Sequence, residues 1–427
     1  KPVTSLMSGP SGGVVSTSFF GKIEKFSNLI AFDMGGTSTD VCVILENTPK
    51  LTADSVLEGY PVMVPTLDVH SIGAGGGSIA SIDDVGSLIV GPKSAGASPG
   101  PACYGHGGKV ATVTDANCVL NRVSPSEFMP SGLKLNKNLA LKAINNNIAK
   151  PLKIDHLKAS SGILEICNLK MANAVRSITI ERGLDPSNFT LCAYGGAGPM
   201  HACWIAKQLG IPRVMVPVAP GQFSALGILL SQLRHDLVRT VSSSASYKKI
   251  GSIFMQMHRE AKKLIKDEKV NIKKMSFDYS VDARYKGQEF TINVSLKNTK
   301  FTKKNINYFL KKFNQIYEKT YSYSSSSEKV EIINLRLVAI GHLNQIKIPK
   351  IKRGIKKPKS IAKIYKTSVY FENKYVKCDV WKREKLLSGN EIKGPAMIVD
   401  YGSTTIIPNQ CLCKVSEYGQ LIIKIAN

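Results

Sequence analysis

The order of apolar and polar positions divides this chain of 427 residues into a glycine-punctuated first half and a plainer, lysine-rich second half. In "IAFDMGGTSTDVCVI", residues 30–44, Ile30 to Phe32 and then Val41 to Ile44 form two short buried-strand runs around a polar turn that holds Gly35 and Gly36. Residues 161–182 place Ile163, Cys167, Met171, Ala174, Val175 and Ile178 at helical spacing, and Gly183 with Asp185-Pro186 supplies a stop, which predicts a core helix. Residues 190–217 read as strand "TLCAY", turn "GGAGP", helix "MHACWIAKQLG" and strand "RVMVPV", a β-turn-α-β unit. The stretch "SGPSGGV" near the start reads as further glycine punctuation. Past "SSSASYKK" the pattern predicts an amphipathic helix over 250–268, strands in "DYSVDARY" and "EFTINVSL", and a helix over 303–320. The segment 349–360, "PKIKRGIKKPKS", is too charged for a core and reads as a linker. The expected order is thus a domain at 1–240, an α+β domain at 241–348, a basic linker at 349–360 and a small β-rich unit at 361–427.

Composition narrows the function classes. No apolar run reaches the roughly 18 residues that a membrane helix needs, and "KPVTSLMSGPSGG" lacks the apolar core of a signal peptide. The expected compartment is the cytoplasm, with no membrane partner. Nine cysteines, an odd number scattered through apolar segments, fit reduced core thiols better than a disulfide framework. Cys411 and Cys413 suit alternate strand positions as well as half a metal site. The net charge of +26 is concentrated in residues 241–427, which hold 37 Lys+Arg against 15 Asp+Glu. A basic stripe can bind nucleic acid, but this excess is lysine mixed with Ile and Asn, without zinc-finger or RRM-type motifs. No specific nucleic-acid partner is expected.

The candidate chemistry lies in the two glycine-rich turns. Gly35 and Gly36 remove the Cβ atoms that would block a close backbone approach, and backbone amides with the hydroxyls of Thr37, Ser38 and Thr39 can donate to phosphoryl oxygens. Asp33 and Asp40 can hold Mg²⁺ directly or through water. A hairpin with a polar tip has the same pattern. In the second turn Gly195, Gly196, Ala197 and Gly198 would let a ribose or phosphate approach a helix N-terminus, although glycine also serves close helix-on-sheet packing there. Asp68, His70, Asp115 and His201 lie in motif-dense segments and are residue types that suit Zn²⁺ or Mn²⁺. His70 equally suits a structural hydrogen bond beneath a glycine-rich turn, and His201 suits capping or core packing. Cys103 reads as structural, since no base is assigned beside it.

Seven stretches, "SGPSGGV", "FDMGGTSTDV", "HSIGAGGGSIA", "VGPKSAGASPGPACYG", "TVTDAN", "ERGLDPSNFTLCAYGGAGPMHA" and "VPVAPGQFSALGILLSQLRHD", resemble in order the hydantoinase A/5-oxoprolinase family of ATP-dependent amide-ring hydrolases, which includes acetone and acetophenone carboxylase subunits. "RYKGQEF", "EIINLRL" and "GPAMIVDYGSTTIIP" extend the likeness through the second half. The resemblance implies an α/β fold, an incomplete actin/Hsp70/sugar-kinase-like ATPase lobe followed by an α+β and β-rich C-terminal region. It implies ATP with Mg²⁺; a second divalent ion, Zn²⁺ or Mn²⁺, at Asp68, His70 and Asp115 beside Asp33 is a candidate from residue type alone, with a general-base cluster as the alternative. In that picture Asp33 lies near the metal, Gly35, Gly36 and Thr37 meet the phosphates, Asp40 is a supporting or metal-facing carboxylate, and Gly195–Gly198 form the adenosine-side turn. The implied chemistry is phosphorylation of a cyclic amide oxygen, in 5-oxoproline or hydantoin, so that water can open the ring. A non-catalytic scaffold and an ATP-dependent carboxylase subunit are the alternatives. Members usually open with another lobe that carries a first phosphate turn. A first-lobe polypeptide or N-terminal segment is therefore an expected partner, with a hydantoinase B-type subunit.

Overall fold

In a computed structural model, which describes residues 8–52, 55–57, 60–62, 66–123, 134–242, 246–269, 272–297, 299, 303–325, 327–343 and 346–426, the two apolar runs of residues 30–44 become adjacent antiparallel strands, β1 (Leu29–Met34) and β2 (Thr39–Leu45). Successive side chains leave a strand on opposite faces, so Ile30, Phe32 and Met34 enter one buried cluster while Leu29 and Ala31 enter another. A strand covered on both faces belongs inside a sheet, and β1 pairs in parallel on its other side with Thr190–Tyr194. Among the described residues nine strands share this sheet. It continues from Thr190–Tyr194 through Arg213–Val216 and Leu421–Lys424 to Leu412–Val415 and Glu391–Lys393.

One face is covered by the helices His156–Ile178 and Gly198–Gln208. The first begins ahead of the predicted span because Asp155 caps it, accepting from the Leu157 and Lys158 amides. Gly183, at φ +74°, closes the turn that follows it. The other face is covered by α1 (Ser8–Glu24) and the helix Phe223–Leu230, through Val14, Phe20 and Phe223. Here the sequence misleads, because "SGPSGGV" is helical from Ser8 rather than a loop. Its glycines serve packing: a Cβ on Gly13 would run into the Tyr194 ring, and one on Gly12 would lie 2.2 Å from the Ser224 carbonyl oxygen, while across the crossing one on Gly227 would overlap the Gly12 carbonyl. That close approach offsets the roughly 1 kcal/mol by which glycine disfavours a helix.

The chain forms two compact units, Lys1–Leu230 with Lys347–Asn427, and Ser231–Ile346. In the second, strands ordered Leu233–Thr240, Val330–His342, Lys274–Tyr285, Ile292–Leu296 make one sheet. Phe254, Phe309 and Phe313 of the helices Tyr247–Asp267 and Lys303–Tyr321 fill its core. The expected boundaries change in three places. Leu233–Thr240 pairs with Val330–His342 and so leaves the first domain. Segment 349–360 is fastened rather than free, since the Ile351 amide donates to the Glu417 carbonyl at 2.9 Å and the Gly354 amide to that of Ser388 at 2.8 Å. Residues 361–427 are not an independent unit. Four strands between Lys363 and Ile407 do form their own sheet, but Leu421–Lys424 pairs with Arg213–Val216 and brings its neighbours into the main one.

Candidate functional site

β1 ends at Met34 and β2 begins at Thr39, so Gly35–Ser38 must reverse the chain. The Gly35 amide closes this turn on the Ser38 carbonyl at 3.1 Å. A second loop locks onto it: the Gly76 amide donates to the Gly35 carbonyl at 3.0 Å and the Gly77 amide to that of Gly36 at 2.6 Å. A Cβ on Gly75 would lie 2.6 Å from the Thr37 nitrogen, so glycine there permits the interlock. A third loop joins from the neighbouring strand. The Ala197 amide donates to the Met34 carbonyl at 3.0 Å, and the Gly195 amide to the Pro220 carbonyl at 3.0 Å. A Cβ on Gly36 or Gly35, by contrast, would meet nothing within 4 Å, and neither residue has a positive φ. Their own backbone does not demand glycine. What glycine leaves at Gly35 and Gly36 is open space beside the turn.

Asp33 and Asp40 stand directly opposite each other across β1 and β2. Burial pushes the Asp33 carboxyl up to about 6; the Ser224 hydroxyl, donating to Oδ2 at 3.1 Å, opposes the rise, and the charge of Asp40 adds to it. Asp40 accepts a hydrogen bond from the Ser71 hydroxyl. Two facing carboxylates, one desolvated, are relieved by a cation, and an all-oxygen donor set suits Mg²⁺. Asp33 and Asp40 would hold it, directly or through water.

Other candidates are placed differently. Thr37 is exposed and Ser38 half-buried on the turn, but Thr39 is fully buried and its hydroxyl donates to the Ala74 carbonyl at 2.5 Å, so it fixes the second loop instead of facing a ligand. Gly198 opens the helix Gly198–Gln208, and a Cβ on Gly196 would sit 3.4 Å from the Gly402 carbonyl. The expected second metal group does not assemble. Asp68 is paired with Arg182 and, at 3.9 Å, with Lys50. His70 is exposed on the strand Val69–Ile72 rather than tucked under a turn. Asp115 is fully buried and accepts from the Ala102, Cys103 and Thr112 amides and the Thr112 hydroxyl, as the capping box of the helix Val113–Val119. His201 is a core residue, hydrogen-bonded through Nδ1 to Asn168 at 2.6 Å and pushed down to about 3 by burial, hence neutral. Among the described residues no group of three or more His, Cys, Asp or Glu side chains is placed to hold a metal. The Cys118 contact and burial push the Cys103 thiol up, which leaves it inert. Sequence reading missed Ser224. It lies within "PGQFSALG", but no spacing connects it to Asp33, 191 positions away.

Residues 1–237 match the family model described as Hydantoinase/oxoprolinase, and residues 239–422 match the Hydantoinase/oxoprolinase C-terminal domain. The caprolactamase subunit alpha of Pseudomonas jessenii is 31% identical over 96% of this chain and 60% of its own length. The 5-oxoprolinase 1 of Arabidopsis thaliana is 31% identical over 99% of this chain and 34% of its own. Among solved structures, the ATP-dependent caprolactamase from Pseudomonas jessenii has a TM-score of 0.81 at 29% identity, covering 98% of this chain and 61% of that one. Nucleotide-free acetone carboxylase has a TM-score of 0.85 at 23% identity, with the same coverage of 98% and 61%, a likeness of fold. The chain spans about three fifths, or less, of the length of these proteins.

Proposed function

Because this chain belongs to the hydantoinase/oxoprolinase family, we propose that it is the ATP-binding portion of an ATP-dependent enzyme that activates a cyclic amide, such as 5-oxoproline, hydantoin or caprolactam, for hydrolytic ring opening. The observation that carries this reading is the open space beside Gly35 and Gly36 in a turn interlocked with the Gly75–Gly77 loop, next to the Asp33–Asp40 pair. In such a reaction the γ-phosphoryl group of ATP passes to the amide oxygen and ADP leaves. Water adds to the carbon, the C–N bond breaks with the nitrogen taking a proton, and the acyl phosphate so formed loses phosphate to a second water. The part of this chain is alignment and charge stabilisation. The Gly36 and Thr37 amides and the Thr37 and Ser38 hydroxyls donate to phosphoryl oxygens, Asp33 and Asp40 carry the Mg²⁺ that neutralises them, and Gly195–Gly198 form the adenosine side.

We extend the reading to two partners: a lobe with the first phosphate turn, as a further segment or a separate polypeptide, and a hydantoinase B-type subunit that completes hydrolysis. Among the described residues no helix is long and apolar enough to cross a membrane, and an ATP-consuming enzyme of this kind would work in the cytoplasm. The test is phosphate release by the full-length protein with its partner polypeptides. Release that depends on 5-oxoproline, hydantoin or caprolactam supports the assignment. Release that depends on a ketone with bicarbonate would make it a carboxylase subunit, and no nucleotide binding at all would leave a scaffold.

A further inference from the structure

We propose that Ser224 is a positioning residue that holds the Asp33 carboxylate in one orientation beside the phosphate turn; this rests on the nucleotide reading above. Two features bound that carboxylate. On one side lies Gly195, at φ +78°, where a Cβ would lie 2.3 Å from the Met34 carbonyl oxygen and 2.5 Å from Asp33 Oδ1, so the bare Gly195 backbone packs close against this oxygen. On the other side the Ser224 hydroxyl donates to Oδ2 at 3.1 Å. With Oδ1 against Gly195 and Oδ2 bonded, the carboxylate cannot turn freely. Its remaining lone pairs then keep one direction before any cation arrives, which lowers the ordering cost of binding.

Ser224 can do this because its own place is fixed several times over. It follows Phe223, whose carbonyl accepts from the buried Ser16 hydroxyl at 2.9 Å and whose ring centre lies 5.0 Å from that of Tyr194 and 5.7 Å from that of Phe20. Tyr194 is in turn the parallel partner of Asp33 in the sheet. Gly12 and Gly227 let α1 and the helix Phe223–Leu230 touch backbone to backbone, with no side chain to slide over. Upstream, Ala219 adopts a left-handed conformation at φ +48°, uncommon without glycine, and Pro220 accepts from the Gly195 amide at 3.0 Å. The loop that delivers Ser224 is therefore tied to the same turn that makes room for Asp33 Oδ1. Without the hydroxyl, the repulsion of Asp40 would be left to set the direction of Asp33.

The test is a Mg²⁺ titration of ATP-dependent phosphate release by the full-length protein with its partner polypeptides. Ser224→Ala should raise the Mg²⁺ needed for half-maximal release about tenfold, the scale of losing a charge-assisted hydrogen bond, with KM for the amide substrate unchanged. Ser224→Thr, which keeps the hydroxyl, should stay near wild type. Ser224→Cys, which keeps the volume but donates weakly, should fall between them, and it carries the test if the alanine variant does not fold. An unchanged Mg²⁺ requirement in folded Ser224→Ala, or a changed amide KM without one, would overturn the inference. Asp33→Asn separates the two levels. If that variant releases phosphate like wild type, the nucleotide reading itself fails; if it is inactive while Ser224→Ala titrates normally, only the positioning role of Ser224 fails.

Discussion

Asp33 carries a charge where water cannot fully solvate it, and its ionisation is therefore linked to stability. Its carboxyl is pushed from 3.8 up to about 6, so above pH 6 the native state holds an ion that the unfolded chain solvates better. Below pH 4 both states are neutral at this position and the penalty is gone. Asp33→Asn should therefore stabilise the fold by about 2–3 kcal/mol at pH 7.5, from a shift of roughly two units, while abolishing Mg²⁺-dependent turnover. The gain should fade as pH drops from 6 to 4 in urea titrations; a less stable Asn variant at pH 7.5 would contradict the burial argument. His201 has the opposite linkage. Pushed down to about 3 and hydrogen-bonded to Asn168, it stays neutral in the fold while the unfolded chain takes up a proton below 6.5. Its contribution is complete above pH 6.5 and lost as pH falls toward 3. His201→Gln should cost about 1–3 kcal/mol at neutral pH and give a shallower acid decline in the urea midpoint. At this scale the sequence shows which residues one turn brings together, Asp33, Gly35, Gly36 and Asp40, while their binding roles stay part of the proposal. It misplaced Asp68, which pairs with Arg182, and Asp115, which caps a helix, because a motif-dense segment does not fix where a side chain is engaged. Thr112 followed three positions later by Asp115 is a capping-box spacing, and that signal pointed to structure.

Glycines in this chain perform two different jobs that composition alone cannot separate. Gly36 faces open space with an ordinary φ, whereas Gly227 lies where a Cβ would overlap the Gly12 carbonyl. Gly36→Val should fold with stability within about 1 kcal/mol of wild type, and Gly227→Val should lose more than about 3 kcal/mol, because two helices must separate to admit the side chain. Urea unfolding of the two variants measures the contrast, and equal losses would show that the crossing is not as close as described. The same contrast explains why α1 was illegible. Local propensity argues against a helix through "SGPSGG", and the compensation comes from the helix Phe223–Leu230, more than two hundred positions away. The helix His156–Ile178 was legible because its apolar stripe already marks the buried face. Strands near the C-terminus were legible as strands, but which sheet each joins depends on long-range pairing such as Leu421–Lys424 with Arg213–Val216.

At the scale of the molecule, the chain leaves the first unit after Leu230 and returns to it at Lys347. A local pattern registers changes of composition but not a return, which is why the expected domains ran end to end. The lysine excess of residues 241–427 is mixed with Ile and Asn and follows no zinc-finger, RRM-type or basic-aromatic repeat pattern, so the expectation remains that it is a solvated or partner-facing surface. Mobility-shift titrations with DNA or RNA oligonucleotides at about 150 mM salt should show only weak, sequence-independent binding, micromolar or poorer. Nanomolar retention of a defined oligonucleotide would overturn that expectation. The central claim is that the interlocked loops at the end of β1 receive the phosphates of ATP. Its most direct measurement is calorimetric titration of MgATP into the full-length protein with its partner polypeptides, comparing wild type with Gly36→Val. Saturable binding by wild type and at least about tenfold weaker binding by the folded variant is the predicted result, a difference of about 1.4 kcal/mol or more; equal affinity in the two would contradict it.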